Sequence, residues 1–278
     1  MINRRHSLGF IAAATLVPSR AFSESTPVRE LRENLLGYFA AEGTAGTFAA
    51  LRTGDDRFIV SDDIRTKAAI LPASTFKIPN SIIALETGVV ADPDKDVFKW
   101  DGVTREIKEW NCDHTLRSAI AVSAVPVYQE IARRIGAERM KTYLDAFGYG
   151  NADIGGGIDR FWLTGDLRIS PMQQVLFLER LRRNALPVSK RAQDLTRDIL
   201  PVTKVGDSVI RAKTGLIGID DRNASVSGVR SSIGWLVGFA EKGNARTVFA
   251  LNLDVREPKH SASRMSIAQR CLGDIGAI

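Results

Sequence analysis

Segments with strand character lie near both ends of this chain of 278 residues, and segments with helix character fill the middle. Alternating or continuous apolar residues predict strands at 47–51, 57–60, 209–212, 233–240 and 247–253. Apolar residues at helical spacing predict helices around 127–135 and 172–176. This order predicts an α+β fold, in which an antiparallel sheet assembled from both ends of the chain is flanked by helices and carries a mostly helical insertion.

The same pattern predicts two subdomains with a cleft between them. Residues 24–70 and 205–278 are assigned to the sheet subdomain and residues 71–204 to the helical one. Three local expectations accompany this division: an amphipathic helix over 28–41, a hairpin turn at Gly54-Asp55, and a closing helix over 263–272. Clefts between subdomains are the usual place for ligand sites.

The first residues have the pattern of an export signal. Arg4 and Arg5 precede an apolar run over 8–17, which is too short to span a bilayer, and Ala21 and Ser23 provide small residues for cleavage after Ser23. We therefore expect a signal peptide over 1–23 and a soluble periplasmic protein over 24–278. The paired arginines also fit twin-arginine export, and an uncleaved membrane anchor is the alternative.

The net charge of +6, from 38 Lys+Arg against 32 Asp+Glu, invites a nucleic-acid interpretation. Arg4, Arg5 and Arg20 belong to the expected signal, and without them 35 basic residues face 32 acidic ones. The remainder shows no basic cluster interleaved with aromatic residues. We expect no nucleic-acid partner; binding that weakens steeply with salt would indicate one.

Two cysteines and three histidines provide little for metal or disulfide chemistry. Cys112 and Cys271 cannot form a disulfide framework, and two buried free thiols are expected, with pairing left open. His114 and His260 lie outside metal-binding spacings, and the chain lacks a G-x-S-x-G motif. We expect both histidines to be exposed or locally hydrogen-bonded, and no metal site.

A Ser-x-x-Lys pair is the main catalytic signal. Ser74 and Lys77 precede the apolar segment 78–85, so both side chains are expected on one face at the start of a helix, with Pro79 in the first turn or at a kink. A lysine acts as a base only when it is neutral, and burial in an apolar pocket favours the neutral amine. Such a pair activates a serine nucleophile without histidine.

Three further motifs follow along the chain. Lys213-Thr214-Gly215 is predicted at the end of a strand, where a cation and a hydroxyl project together and the glycine permits close approach of a ligand. Ser123-Ala124-Val125 and Tyr149-Gly150-Asn151 are uninformative alone, since Ser123 fits a helix cap and Tyr149-Gly150-Asn151 fits a turn. The order of the four motifs is the informative feature.

With these motifs in this order, the whole mature chain resembles the class D serine β-lactamases, the oxacillinase family. The resemblance extends over residues 72–81, 121–128, 149–151, 156–163, 213–215, 234–238 and Arg264. It implies a serine β-lactamase or penicillin-binding-protein-like fold and hydrolysis of the β-lactam amide of penicillin-type antibiotics, which confers resistance. The alternative is a penicillin-binding protein that is acylated and deacylates slowly.

The resemblance also implies the role of each matching residue. Ser74 is the acylated nucleophile, Lys77 carries a carbamate formed with carbon dioxide and acts as the general base, and Ser123 relays a proton to the leaving nitrogen. The apolar surroundings of the lysine are Phe76, Val125, Trp162 and Leu163. The substrate-binding residues are Lys213, Thr214, Gly215, Leu216 and Arg264, with the N–H groups of Ser74 and Leu216 as the oxyanion hole. No other cofactor is expected.

Neighbouring families fit less well. Class A enzymes carry S-D-N, and penicillin-binding proteins S-x-N, where this chain has Ser123-Ala124-Val125. Class C enzymes share a Y-x-N that Tyr149 also fits, but Val125 and Trp162 favour class D. The chain does not indicate which β-lactams are hydrolysed, whether the protein is a monomer or a homodimer, or what residues 216–232 contribute.

Overall fold

A computed structural model describes residues 28–53, 57–218 and 232–278, and its centre is a seven-stranded sheet. The strands are β1 (Val28–Leu31), β2 (Gly46–Arg52), β3 (Arg57–Val60), β4 (Val202–Val205), β5 (Ser208–Ile217), β6 (Ser232–Lys242) and β7 (Ala245–Val255). The helices are α1 (Leu36–Ala40), α2 (Lys77–Glu86), α3 (Leu116–Ala121), α4 (Val125–Ile135), α5 (Ala137–Phe147), α6 (Pro171–Arg182), α7 (Lys190–Asp198), α8 (Pro258–Ala262) and α9 (Arg264–Asp274).

The strand order is β1-β3-β2-β7-β6-β5-β4, so the sheet does unite the two ends of the chain. β2 pairs antiparallel with β7, with Thr47 opposite Asn252, although they lie at opposite ends of the sequence. β5, β6 and β7 continue the antiparallel pairing toward β4. The predicted α+β architecture, with strands at both ends and helices between them, is confirmed.

One edge of the sheet differs from the prediction. β1 pairs parallel with β3, so the sheet is mixed and not entirely antiparallel. The helix predicted over 28–41 is wrong for its first residues, because Val28–Leu31 forms β1 and helical structure begins with a 3₁₀ turn at Glu33–Leu35 before α1. In residues 28–31, backbone pairing with β3 stabilises a strand more than the helical spacing of the apolar side chains stabilises a helix.

The sheet separates two apolar layers because successive side chains of each strand point to opposite faces. On one face, Phe249 and Leu251 of β7 pack with Ile267 and Leu272 of α9. On the other face, strand side chains join a larger cluster with the helical region, which includes Ile82 of α2. Every residue of α2 from Lys77 to Leu85 is buried, so this helix is the axis of the helical region.

The predicted strands and the predicted closing helix are present in the structure. The closing helix exists as α9, and the strands predicted at 47–51, 57–60, 209–212, 233–240 and 247–253 are present with longer bounds in most cases. Lys213-Thr214-Gly215 lies inside β5 and not at its end, because pairing with β6 continues to Ile217. The division into subdomains stays a prediction; β4 joins the sheet from Val202, just before the boundary placed at residue 205.

The cysteines and histidines have contrasting environments. Both thiols are free, but Cys112 is exposed, so the prediction of two buried thiols is wrong for this loop residue and right for Cys271. His114 is hydrogen-bonded to Ser118 and to the carbonyl of Glu109. The expected signal peptide, the Gly54-Asp55 turn and residues 219–231 lie outside the described residues. Within the described part of the chain, no helix has the length and apolar content to span a bilayer.

Candidate active site

Ser74 and Lys77 are in direct contact. Ser74 lies in a 3₁₀ turn, Ala73–Phe76, and α2 begins at Lys77, so the serine precedes the α-helix that was predicted to contain it. In a 3₁₀ turn residues three apart are eclipsed, which aligns the two side chains. The Lys77 Nζ donates a hydrogen bond of 2.8 Å to the Ser74 Oγ. Pro79 falls in the first turn of α2, where a proline is tolerated.

The turn that carries Ser74 is held by its neighbours. Ala73 has a positive φ of 47°, an uncommon conformation for a residue with a side chain, and its N–H donates to the carbonyl of Trp162. The Thr75 hydroxyl donates to the carbonyl of Pro72, and Gln174 donates to that hydroxyl. Strained backbone that its surroundings fix in place is a common feature of catalytic sites.

Lys77 is fully buried among aromatic rings. Phe76 stacks on Trp162 with 5.2 Å between ring centroids, and the Lys77 Nζ lies 5.2 Å from the centre of the Tyr128 ring. Burial, with a smaller contribution from the charge of Lys213, holds the pKa of Lys77 well below its ordinary value. Burial thus favours the neutral amine, the form that a base requires.

The indole Nε1 of Trp162 is buried and has no hydrogen-bond partner among the described residues. A buried N–H without an acceptor is costly, and such groups often mark a place where a ligand binds. The Trp162 ring stacks on Phe76, the residue that precedes Lys77. Leu163 is half-buried and packs against the core cluster that contains Phe76 and Trp162, and Val125, also half-buried, is the first residue of α4.

Ser123 lies in the connection between α3 and α4. Its φ of 60° is left-handed, and it is partly exposed. The alternative that Ser123 caps a helix is wrong, because the residue that precedes α4 is Ala124 and no side chain caps this helix. The Trp110 indole donates to the carbonyl of Val122 and so fixes the connection just before the serine. Ser123 Oγ has no hydrogen-bond partner among the described residues and is free to contact a ligand.

β5 approaches the nucleophile closely at Gly215. A Cβ atom at this position would lie 3.1 Å from the carbonyl oxygen of Pro72 and 3.2 Å from Cγ2 of Thr75, so a side chain would push β5 away from the turn that carries Ser74. The next residue, Leu216, is 53% exposed and lies at the rim. Trp235 of β6 adds a second connection, because its indole donates to the carbonyl of Leu71.

Lys213 and Arg264 give the site a positive charge. Lys213 is almost completely buried and donates to the Thr214 hydroxyl at 3.2 Å. Burial and the charge of Arg264 lower the pKa of Lys213 to about 7, and burial lowers the pKa of Arg264 to about 10. Neither residue forms an ion pair with an acid among the described residues. A site with these cations and a nucleophilic hydroxyl suits an anionic substrate.

The structure thus connects residues that are far apart in the sequence. The Ser74 turn meets Trp162 through the Ala73 N–H and the Phe76 ring, and Gly215 and Arg264 meet through a hydrogen bond from Nη1 of Arg264 to the carbonyl of Gly215. Tyr128 and Trp235 lie within the segments 121–128 and 234–238 that carry the resemblance, but no role was assigned to either of them. Tyr128 lies one helical turn after Val125, and this spacing was the available signal.

Comparison with known proteins agrees with this geometry. The family profile for the penicillin binding protein transpeptidase domain matches residues 50–275. The β-lactamase OXA-5 of Pseudomonas aeruginosa is 43% identical over 262 residues, 94% of each chain. The β-lactamase OXA-48 of Klebsiella pneumoniae is 46% identical over 208 residues, 75% of each chain.

Two solved structures that superpose on this chain are also β-lactamases. The class D β-lactamase YbXI from Nostoc superposes with a TM-score of 0.81 at 40% identity, covering 88% of this chain and 99% of that one. The class D β-lactamase FUS-1 (OXA-85) from Fusobacterium nucleatum has a TM-score of 0.82 at 34% identity, with 90% and 100% covered. The resemblance noted in the sequence is confirmed over most of the chain: it belongs to the class D β-lactamases.

Proposed function

We propose that this protein hydrolyses the β-lactam amide of penicillin-type antibiotics through an acyl-enzyme on Ser74. The observation that carries the proposal is the 2.8 Å contact between the Ser74 hydroxyl and a buried Lys77 whose pKa is lowered. The relatives named as β-lactamases support the substrate class. Such hydrolysis gives resistance to these antibiotics.

In the first half-reaction, the Lys77 side chain accepts the Ser74 proton as Oγ attacks the β-lactam carbonyl carbon. The carbon–nitrogen bond breaks, and Ser123 passes a proton to the leaving nitrogen. The N–H groups of Ser74 and Leu216 stabilise the developing oxyanion, because Gly215 brings β5 against the turn that carries Ser74. The product is an ester of Ser74.

In the second half-reaction, the Lys77 side chain accepts a proton from a water molecule that attacks the ester carbonyl. The ester bond breaks, and the proton returns to the Ser74 Oγ. A base that serves both halves must be unprotonated before each of them, so the proton that it takes from Ser74 has to leave through Ser123 to the departing nitrogen before the second half begins. A protein that completes the first half and fails in the second is the slowly deacylating penicillin-binding protein.

We also propose that Lys77 reacts with carbon dioxide. The residues fit this group: a neutral amine is the form that reacts, and the buried Trp162 Nε1 offers a donor without another acceptor. When bound as a carbamate, carbon dioxide supplies an anionic oxygen as the base. The buried rings of Phe76 and Trp162 are proposed to keep water from the amine, with Val125 and Leu163 completing the apolar surroundings.

Lys213, Thr214 and Arg264 are proposed to bind the carboxylate that penicillin-type substrates carry next to the reacting amide. Lys213 and Arg264 are cationic groups without acid partners in the described structure, and Thr214 adds a hydroxyl beside Lys213. A hydrogen bond between arginine and a carboxylate contributes about 1.5–3 kcal/mol. These contacts orient the carbonyl toward Ser74.

Hydrolysis of a chromogenic cephalosporin, with and without added bicarbonate, tests the proposal. We expect repeated turnover and a rate that rises with bicarbonate. A burst of one product per enzyme without further turnover would instead identify the slowly deacylating alternative. The same assay on periplasmic extract and on cytoplasm tests the proposed periplasmic location and removal of residues 1–23.

Trp162→Phe tests the role of the indole N–H. The ring still stacks on Phe76, but the donor for an anion on Lys77 is lost, so we expect the rate in ambient carbon dioxide to fall about tenfold, in line with one lost charge-assisted hydrogen bond. Added bicarbonate should restore much of the loss. The measurements are initial rates over a bicarbonate series and ¹³C NMR of enzyme exposed to labelled bicarbonate.

Trp100→Phe is the matched control, because it removes an indole N–H that donates to the Val103 carbonyl at the surface. We expect this variant to retain the wild-type bicarbonate dependence. A Trp162→Phe enzyme with the wild-type dependence and an undiminished carbamate signal would contradict the role given to the indole.

The pKa of Lys213 predicts a pH dependence. With a pKa of about 7, Lys213 is charged below pH 7 and loses its charge above it. For a substrate with a carboxylate, KM should therefore increase as the pH rises. This increase should lower kcat/KM by about tenfold per pH unit once the pH is well above 7. Lys213→Arg stays charged throughout, so its kcat/KM should not show this fall.

The ratio of kcat/KM for the two enzymes at each pH isolates this effect, because any contribution of Lys77 to the pH profile is shared. The ratio of Lys213→Arg to wild type should rise between pH 6 and pH 8.5. A ratio that stays constant over this range would show that the charge of Lys213 does not bind the substrate.

A further inference from the structure

Three backbone carbonyls hold the guanidinium of Arg264. Its Nε donates to the carbonyl of Ser261 at 2.7 Å, and its Nη1 donates to the carbonyls of Gly215 at 2.6 Å and Trp235 at 3.4 Å. Nη2 has no partner among the described residues, which leaves it available to a ligand. The Nε side of the guanidinium is held by the Ser261 carbonyl, which belongs to the short helix α8, whereas the two acceptors of Nη1 lie in the sheet.

α8 begins at a histidine-mediated cap. The Nδ1 of His260 accepts hydrogen bonds from the N–H groups of Arg256, at 3.1 Å, and Glu257, at 3.3 Å. The N–H of His260 in turn donates to the backbone carbonyl of Glu257. The bond from the Glu257 N–H to the His260 ring is the half of a capping box in which the N3 side chain accepts from the N-cap N–H, with histidine in the place where glutamate or glutamine is usual.

The backbone of His260 is held as well, whereas its buried Nε2 has no hydrogen-bond partner among the described residues. His260 is buried, with its ring facing Gly43, where a Cβ would lie 3.9 Å from the His260 Nε2. Its carbonyl accepts a hydrogen bond of 3.1 Å from the hydroxyl of Ser263, the residue immediately before Arg264. His260 thus connects the start of α8, the end of α8 and the residue that leads into α9.

We propose that His260 is a positioning residue for Arg264 and acts on recognition of the substrate carboxylate without touching the substrate. This inference rests on the proposed function of Arg264. Loss of the Nδ1 acceptor leaves two N–H groups without a partner, and α8 must shift to rehydrate them. A shift of α8 moves the Ser261 carbonyl, and the Arg264 guanidinium that donates to this carbonyl then turns away from the position in which it would meet the substrate carboxylate.

The test compares His260→Leu with His260→Asn. Leucine keeps apolar volume and removes the acceptor, whereas asparagine carries an oxygen acceptor at the same number of bonds from the main chain as Nδ1. Each enzyme is assayed on a chromogenic cephalosporin and on its methyl ester, which lacks the carboxylate charge. For the free acid, we expect His260→Leu to raise KM about tenfold with kcat within twofold, and His260→Asn to stay near wild type.

For the ester, we expect KM of His260→Leu to stay within twofold of wild type, because Arg264 has no carboxylate to bind. Leu272→Ala is the control for lost stability: it removes a buried side chain in α9 away from Arg264, so Tm should fall and neither KM should change. A merely structural role of His260 would give the same pattern as this control.

Three results would overturn the inference: equal effects of His260→Leu on acid and ester, no effect on either, or the same loss in His260→Asn as in His260→Leu. Arg264→Ala separates this failure from failure of the proposed function. If Arg264→Ala does not change the preference for acid over ester, the role of Arg264 itself is wrong. If Arg264→Ala does change this preference, the role of Arg264 is supported, and the variants of His260 then test the inference about His260 by themselves.

Discussion

Replacement of Ser74 by alanine should lower kcat/KM for β-lactams at least about 10⁴-fold, because no other hydroxyl contacts the Lys77 amine in the described structure. Intact-protein mass spectrometry after rapid mixing and acid quenching gives a direct measurement. Wild-type enzyme should gain the mass of one substrate molecule, and Ser74→Ala should gain none. The variant should fold normally, since only a partly exposed hydroxyl is removed.

Ser61→Ala is a suitable control. Its hydroxyl is buried after β3, where it accepts a hydrogen bond from the N–H of Phe48, and it lies outside the site. We expect this enzyme to lose stability and still become acylated. If Ser74→Ala acquired the substrate mass at the wild-type rate, the nucleophile would have to be another residue.

Replacement of Lys77 by methionine should have the second largest effect. Methionine has a similar length and no basic group, so both half-reactions lose their base, and kcat should fall at least about 10³-fold. Residual acylation should leave an adduct that persists, because deacylation needs the same base. Mass spectra taken over hours after mixing would measure this persistence, and added bicarbonate should not restore turnover.

The same substitution should raise stability. The folded-state pKa of Lys77 is below its ordinary value, so the protonated side chain is less favoured in the folded protein than in the unfolded chain. This opposes folding at every pH below the ordinary pKa of lysine. Methionine removes that cost and fits the ring cluster, so we expect Tm of Lys77→Met to exceed that of wild type. Retained turnover would contradict the catalytic role, and a lower Tm would contradict the account of burial.

Much of this site could be predicted from the sequence because its chemistry lies in short motifs. Ser74 and Lys77 are three residues apart, and this spacing alone brings them together at the start of a helix. Strand and helix patterns likewise predicted most of the sheet, since each depends on local spacing of apolar side chains. Motif order then led to the family.

The remaining features depend on contacts between distant segments. The parallel pairing of β1 with β3 cannot be read from Val28–Leu31 alone. The bond from Arg264 to Gly215 requires α9 and β5 to be placed first. The lack of a partner for Trp162 Nε1 is a property of the packed core and has no sequence signal. His260 looked unremarkable in the sequence for the same reason.

The pairing of β2 with β7 has a consequence for the timing of activity. Because Thr47 has its strand partner at Asn252, the sheet cannot close until nearly the whole chain has been synthesised. β5, which supports the turn that carries Ser74, is joined to β7 through β6, so the nucleophile acquires its surroundings late. A chain held unfolded for passage through a membrane would therefore reach the far side without a working site, and would complete it there once its last strand was available.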